Sequence, residues 1–195
     1  MTTTITRAAD LPSTPWRNGQ GRTTEIALAG PPDDFAWRVS LAEVARNSDF
    51  SPFPGVDRII MLVEGGSMTL HLPGRTRVLR PDVPFGFDGG APVRCEVDRP
   101  TRDLNVMTRR GAARARLDAH RLTADEEPLA VPAADPVVLV VLDGSVTLAT
   151  GGATLGAGDI AIGDEPLVLG GTARVAVARI EIEPGRTRRH GTTRR

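Results

Sequence analysis

Apolar residues recur along this chain at intervals of two, in short runs of Val, Ile, Leu and Thr separated by glycine and proline. That period belongs to β-strands with one face in a core and the other outside it, so the chain is expected to be all-β. The pattern predicts strands near 23–29, 36–44, 58–64, 67–72, 76–80, 85–88, 93–98 and 102–109. A second set is expected near 137–142, 145–149, 153–155, 159–163, 167–169 and 173–182. Helix is nearly absent: Thr123 stands three residues before Glu126 in capping-box spacing, enough for one turn near 123–127.

One phrase occurs twice. An apolar strand (Ile59 to Val63; Val137 to Leu142) runs into an acid-glycine turn (Glu64-Gly65; Asp143-Gly144) and an alternating strand (Ser67 to Leu70; Ser145 to Leu148). An aspartate then leads a further apolar stretch at Asp82 and at Asp159. The copies lie about eighty residues apart, too far for a solenoid and suited to two small double-sheet barrels in tandem. Residues 1–121 are read as an N-terminal lobe, 122–136 as a connector, 137–183 as a C-terminal lobe and 184–195 as a basic disordered tail. Lobes this small are expected to share an apolar interface rather than swing freely. Both tryptophans and all five phenylalanines lie in the first lobe, which is where a pocket is expected.

Composition then removes whole classes of chemistry. The 195 residues carry no net charge, and all 24 cationic side chains are arginine. Without lysine there is no Schiff base, pyridoxal phosphate anchor or phosphate-loop lysine, and without tyrosine no phenolic acid. Cys95 is the only cysteine, so no intramolecular disulfide forms and a reducing, cytoplasmic setting is expected. Residues Met1 to Leu11 lack the basic start and apolar core of a leader, and the longest apolar run, Val137 to Leu142, is far short of a membrane span. The arginines of the last ten residues read as a solvated terminus, with neither nucleic acid nor membrane as partner.

Candidate chemistry is sparse outside the first lobe. Small double-sheet barrels commonly hold metal through two or three histidines and a carboxylate, but His71, His120 and His190 are scattered, so no metal or other cofactor is expected. Cys95 alternates with Val93 and Val97 and reads as packing, and Ser67 and Ser145 lack a nucleophile elbow. Asn18-Gly19 is turn chemistry that also brings Asn18 toward a ligand. In the strand from Arg102 to Arg109, alternation puts Asp103, Asn105, Met107 and Arg109 opposite Leu104 and Val106. Likewise Trp37, Val39 and Leu41 leave Arg38 and Ser40 on the other face, and the loop after them, Phe50 to Arg58, adds two aromatics and an Asp57-Arg58 pair. A cleft arginine requires a carboxylate, either a protein acid such as Glu43 or Asp57 or that of a ligand.

These segments together resemble the HutD family, also called Ves, of the cupin superfamily. The resemblance rests on Pro15-Trp16-Arg17-Asn18-Gly19-Gln20-Gly21, Trp37 to Glu43, Phe50 to Arg58, Phe85-Gly86-Phe87-Asp88-Gly89 and Arg102 to Met107, and spans residues 3–182. One position departs: family members often read Asn-Gly-Gly-Gly, whereas this chain has Gln20 between Gly19 and Gly21. The resemblance implies a two-lobed bicupin with little or no metal. It also implies an accessory or regulatory role in histidine utilisation, with formylated or formimino glutamate, or a urocanate-like acid, as ligand. On that reading Arg38 or Arg58 meets a carboxylate, Asn18, Ser40, Asp103 and Asn105 fix polar groups, and Phe53 and Met107 form walls. No catalytic residue is assigned. The rival reading is a cofactor-independent isomerase or hydrolase with Glu43 or Asp103 as base, and a third is a protein-interaction module. A monomer and a homodimer both suit tandem barrels.

Overall fold

The computed structural model describes residues 3–16 and 19–183; Asn18 and the tail 184–195 lie outside the described residues. Among the described residues seventeen strands form three antiparallel sheets, and the single helical element is a 3-10 turn at Ala8–Asp10.

The six-stranded sheet has the order β2-β3-β4-β11-β6-β9, with β2 (Ser13–Pro15), β3 (Gly21–Ala29), β4 (Trp37–Val44), β6 (Val56–Glu64), β9 (Phe85–Asp88) and β11 (Thr101–Arg109). The four-stranded sheet, β5-β10-β7-β8, comprises β5 (Ser48–Asp49), β7 (Met68–Leu72), β8 (Arg75–Leu79) and β10 (Arg94–Val97). The seven-stranded sheet runs β1-β16-β14-β17-β12, with β1 (Thr4–Thr6), β12 (Ala113–Leu122), β14 (Val137–Leu148), β16 (Ile160–Gly163) and β17 (Leu167–Ile182). Two short strands join it, β13 (Leu129–Val131) on β17 and β15 (Thr154–Gly156) on β14.

Alternation along each strand separates three large apolar interiors among the described residues, beside a small cluster of Phe35, Val56 and Met107. Val39 and Leu41 of β4, Leu104 and Val106 of β11, and Met61 and Val63 of β6 pack against Val138, Val140, Ala176, Ala178 and Ile180 of the large sheet. The opposite face of β6 sends Ile60 and Leu62 toward Met68, Leu70 and Cys95 of the four-stranded sheet. Within the large sheet, Leu139 and Val141 of β14 meet Val175 and Val177 of β17 together with Leu155 and Leu169. The uninterrupted run Val137 to Leu142 thus serves two interiors at once, odd positions facing one and even positions the other. Each such side chain, fully buried, stabilises the fold by about 1.5–3 kcal/mol.

Several strands were not expected. β12 is ten residues long yet reads Ala-Arg-Ala-Arg-Leu-Asp-Ala-His-Arg-Leu, without the β-branched and aromatic residues that mark a strand. It is an edge strand whose Ala115 and Ala119 lie against the shared apolar cluster. β1, β2, β5 and β13 are two or three residues long, and β13 falls inside the expected connector. Hydrogen bonding also divides the chain differently from a boundary at 121/122, because β1 and β12 pair with β16 and β17. The segment after β12 forms a turn, with Glu126 N donating to Thr123 O at 3.3 Å, and no helix. Among the described residues no helix is long and apolar enough to cross a membrane.

Candidate ligand-binding pocket

Register brings the polar face of three strands together. β11 lies between β4 and β6, so Met107 sits between Arg38 and Arg58, Asn105 between Ser40 and Ile60, and Asp103 between Ala42 and Leu62. Thr23 and Glu25 of β3 continue the Ala42 and Ser40 rows. These side chains floor a cavity of about 480 Å³, roofed on one side by the 49–53 loop and on the other by Trp16. Trp16 is fixed by its indole N–H, which donates to Thr23 Oγ1 at 2.8 Å. Glycine is required beside it, since a Cβ on Gly21 would stand 3.0 Å from the indole and closer still to Glu43 O.

The floor is a chain of three polar side chains. Arg58 Nη2 donates to Asn105 Oδ1 at 2.7 Å, and Asn105 Nδ2 donates to Asp103 Oδ1. Arg58 is 5% exposed and Asp103 0%. Three rings surround the guanidinium, with centroids 4.9 Å (Phe50), 5.1 Å (Phe87) and 5.9 Å (Phe53) from Cζ. Rings facing a cation compensate part of the hydration it loses. Arg58 Nε and Asp103 Oδ2 are buried and have no hydrogen-bond partner among the described residues.

Burial sets the charges here. It lowers the Arg58 pKa to about 10, with Asp103 opposing the shift and Arg38 reinforcing it, so the guanidinium stays cationic at neutral pH. The Asp103 carboxyl is pushed up to about 7 by burial, against the pull of Arg58 and the Asn105 hydrogen bond. Cys95, on the four-stranded sheet across from the floor, is pushed up to about 12 by burial, then by the charges of Asp103 and Glu96, and is therefore an unreactive thiol.

The structure brings Arg38, Ser40, Phe53, Arg58, Asp103, Asn105 and Met107 into one cavity; Asn18 lies outside the described residues. Arg109 does not join them: it pairs with Asp34 at 3.0 Å and donates to Phe35 O. The expected arginine partners are also corrected. Arg38 lies 3.3 Å from Glu25, whereas Asp57 pairs with Arg110 at 2.7 Å and Glu43 faces Arg102 at 3.8 Å. Adjacent residues of a strand point to opposite faces, so Asp57 cannot serve Arg58, and Glu43 is turned away from Ser40. Sequence reasoning passed over Trp16 and Thr23 as lining, and Phe50 and Phe87 as a collar around Arg58; the clustering of phenylalanines in this half was the available signal.

Metal donors do not fit here. His71 on β7 lies 3.1 Å from Glu96, His120 is on β12 of the large sheet, and among the described residues no three His, Cys, Asp or Glu side chains converge. A site of two or three imidazoles with a carboxylate is not formed by these groups.

Antiparallel sheets closed around a small polar cavity give the chain a cupin-like fold. A cupin 2 conserved barrel domain protein from Leptotrichia buccalis shares the fold alone, at TM-score 0.53 and 9% identity over 82% of this chain and 89% of that one. Residues 8–178 match the HutD family model, and the chain belongs to the HutD family. Protein Ves of Cronobacter sakazakii is 44% identical over 110 residues, 55% of this chain and 61% of that protein. The chain thus spans about three fifths of the length of the curated relatives it matches, 61% and 58%. A conserved protein of unknown function from Pseudomonas aeruginosa PAO1 superposes at TM-score 0.84 with 32% identity, covering 93% of this chain and all (100%) of that one. HutD from Pseudomonas fluorescens SBW25, in a formate condition, superposes at TM-score 0.81 with 28% identity, covering 94% and 100%.

Proposed function

We propose that the protein is a metal-independent bicupin that binds a small anionic metabolite in its N-terminal lobe and serves histidine utilisation as a cytoplasmic accessory or regulatory protein. The ligand would be formylated or formimino glutamate, or a urocanate-like acid. The observation that carries this reading is a buried, collared guanidinium at the floor of a cavity of about 480 Å³, with its Nε–H directed at no acceptor among the described residues. That volume lies within the usual range for small-molecule sites, and a planar guanidinium is the natural receptor for a carboxylate. The bicupin description is supported by the three interiors, one in each half and one between them.

A thermal-shift series with N-formylglutamate, formiminoglutamate and urocanate tests the reading. A ligand at a hundred times its Kd stabilises by about 2.7 kcal/mol, and at least one of these acids at millimolar concentration is expected to raise Tm by several degrees. No response to any of them contradicts it. A second reading is favoured by Asp103 alone: a buried carboxyl that titrates near neutrality suits a general acid or base. Turnover of a bound acid, lost in Asp103→Asn with binding retained, would establish that reading instead.

A further inference from the structure

We infer that a ligand oxygen is held jointly by Arg58 Nε–H and by a protonated Asp103 Oδ2–H, so that capture of a carboxylate takes up one proton from solvent. The inference rests on the anion-binding function proposed above and assigns a ligand-reading role to Asp103.

The hydrogen-bond chain fixes where the proton sits. A guanidinium only donates, so the oxygen of Asn105 must face Arg58 and its NH₂ group must face Asp103. Asp103 Oδ1 is therefore an acceptor in either protonation state. Any proton on this carboxyl belongs on Oδ2, which is the atom without a partner among the described residues, in a residue that lines the cavity. Arg58 Nε–H is a further unpartnered polar group of the same floor, as is Arg38 Nε–H, which stands 3.3 Å from Glu25. One buried donor from each of Arg58 and Asp103 makes a receptor for a carboxylate or carbonyl oxygen, but only while Asp103 carries its proton.

The surroundings give the sign. Arg58 on β6 and the neutral thiol of Cys95 on β10 face Asp103, and the cavity is also lined by Arg38 on β4, already beside Glu25 of β3, and by Asp49 of β5. Ser40 and Asn105 add dipoles and no charge. An incoming anion puts a second negative charge in a site with little water, and two carboxylates in one site cannot both stay ionised. Asp103 titrates at about 7, so near and above neutrality the ligand must recruit the proton. Below that pH the proton is already in place and affinity is level; above it, affinity falls about tenfold per pH unit.

The test is isothermal calorimetry with N-formylglutamate between pH 6 and pH 9, where its own carboxylates stay ionised, repeated at pH 8 in buffers of different ionisation heat. The expected result is uptake approaching one proton per ligand at pH 8 and a Kd that rises about tenfold per unit on the alkaline side. Asp103→Asn replaces the acid by a permanent amide donor, so it should bind with a flat pH profile and no proton uptake. Binding to wild-type protein without proton uptake, or with proton release, overturns this inference and leaves the functional reading standing. Failure to bind any of the three acids overturns both. The wild-type proton count decides the matter even if the variant does not fold.

Discussion

The interior of the large sheet and the interior between the two smaller sheets are built from the same alternation and filled in opposite ways. Where β14 and β17 face inward they present Leu139, Val141, Val175 and Val177, all at most 1% exposed, and the space is closed by aliphatic packing. Where β4, β6 and β11 face inward toward the 49–53 loop they present Arg38, Ser40, Arg58, Asp103 and Asn105 around a cavity. One half holds the fold together, and the other gives up stability to keep charged and polar groups out of water. Burying such groups is unfavourable unless they are paired, which is why the chain surrounds Arg58 with three rings and an amide.

The sharpest way to break this contrast is to damage each interior in turn. Arg58→Met is expected to abolish the thermal response to acids, and Leu139→Ala to keep that response while losing ~2–5 kcal/mol of stability, the usual result of truncating a core leucine. Chemical denaturation with and without N-formylglutamate measures both. Loss of binding in Leu139→Ala at a temperature where it is folded would show that the two interiors are not separate in role.

A smaller effect concerns Asp103 itself. Its carboxyl is raised from 3.8 to about 7 in the folded protein, so between about pH 4 and pH 7 the folded state holds a proton that the unfolded chain has released. Stability from this group is therefore greatest near pH 4 and below, falls as pH rises through that window, and is fully lost above 7. Asp103→Asn lacks the titration. Without ligand it should exceed wild type by ~1–3 kcal/mol at pH 8, the scale of an unsatisfied buried polar group, and the difference should close toward pH 4. Urea midpoints at the two pH values read it directly; a wild-type advantage at pH 8 would mean that the ionised carboxylate is stabilised by its pairing with Arg58.

The faces of β4 and β11 were legible in the sequence because strong apolar residues, Trp37, Val39, Leu41, Leu104 and Val106, mark one side and leave the pocket residues on the other. β12 was not, because alternating alanine and arginine carries no strand preference; its place depends on close packing of small side chains at a sheet edge. The link from Arg58 to Asn105 crosses 47 residues of sequence and exists only through the β6–β11 register. Adjacency in sequence pointed instead to Asp57, which the pleat turns to the other face. HutD family membership was readable from motifs spread over the whole first half, whereas the collar of Phe50, Phe53 and Phe87 joins two loop residues to one strand neighbour of Arg58.

A crystal structure of the protein soaked with N-formylglutamate tests the central claim most directly. A carboxylate or formyl oxygen within hydrogen-bonding distance of Arg58 Nε and Asp103 Oδ2, inside the cavity under the 49–53 loop, is the predicted result. Ligand seated on the outer surface or in the large sheet, with that cavity holding only water, would contradict it.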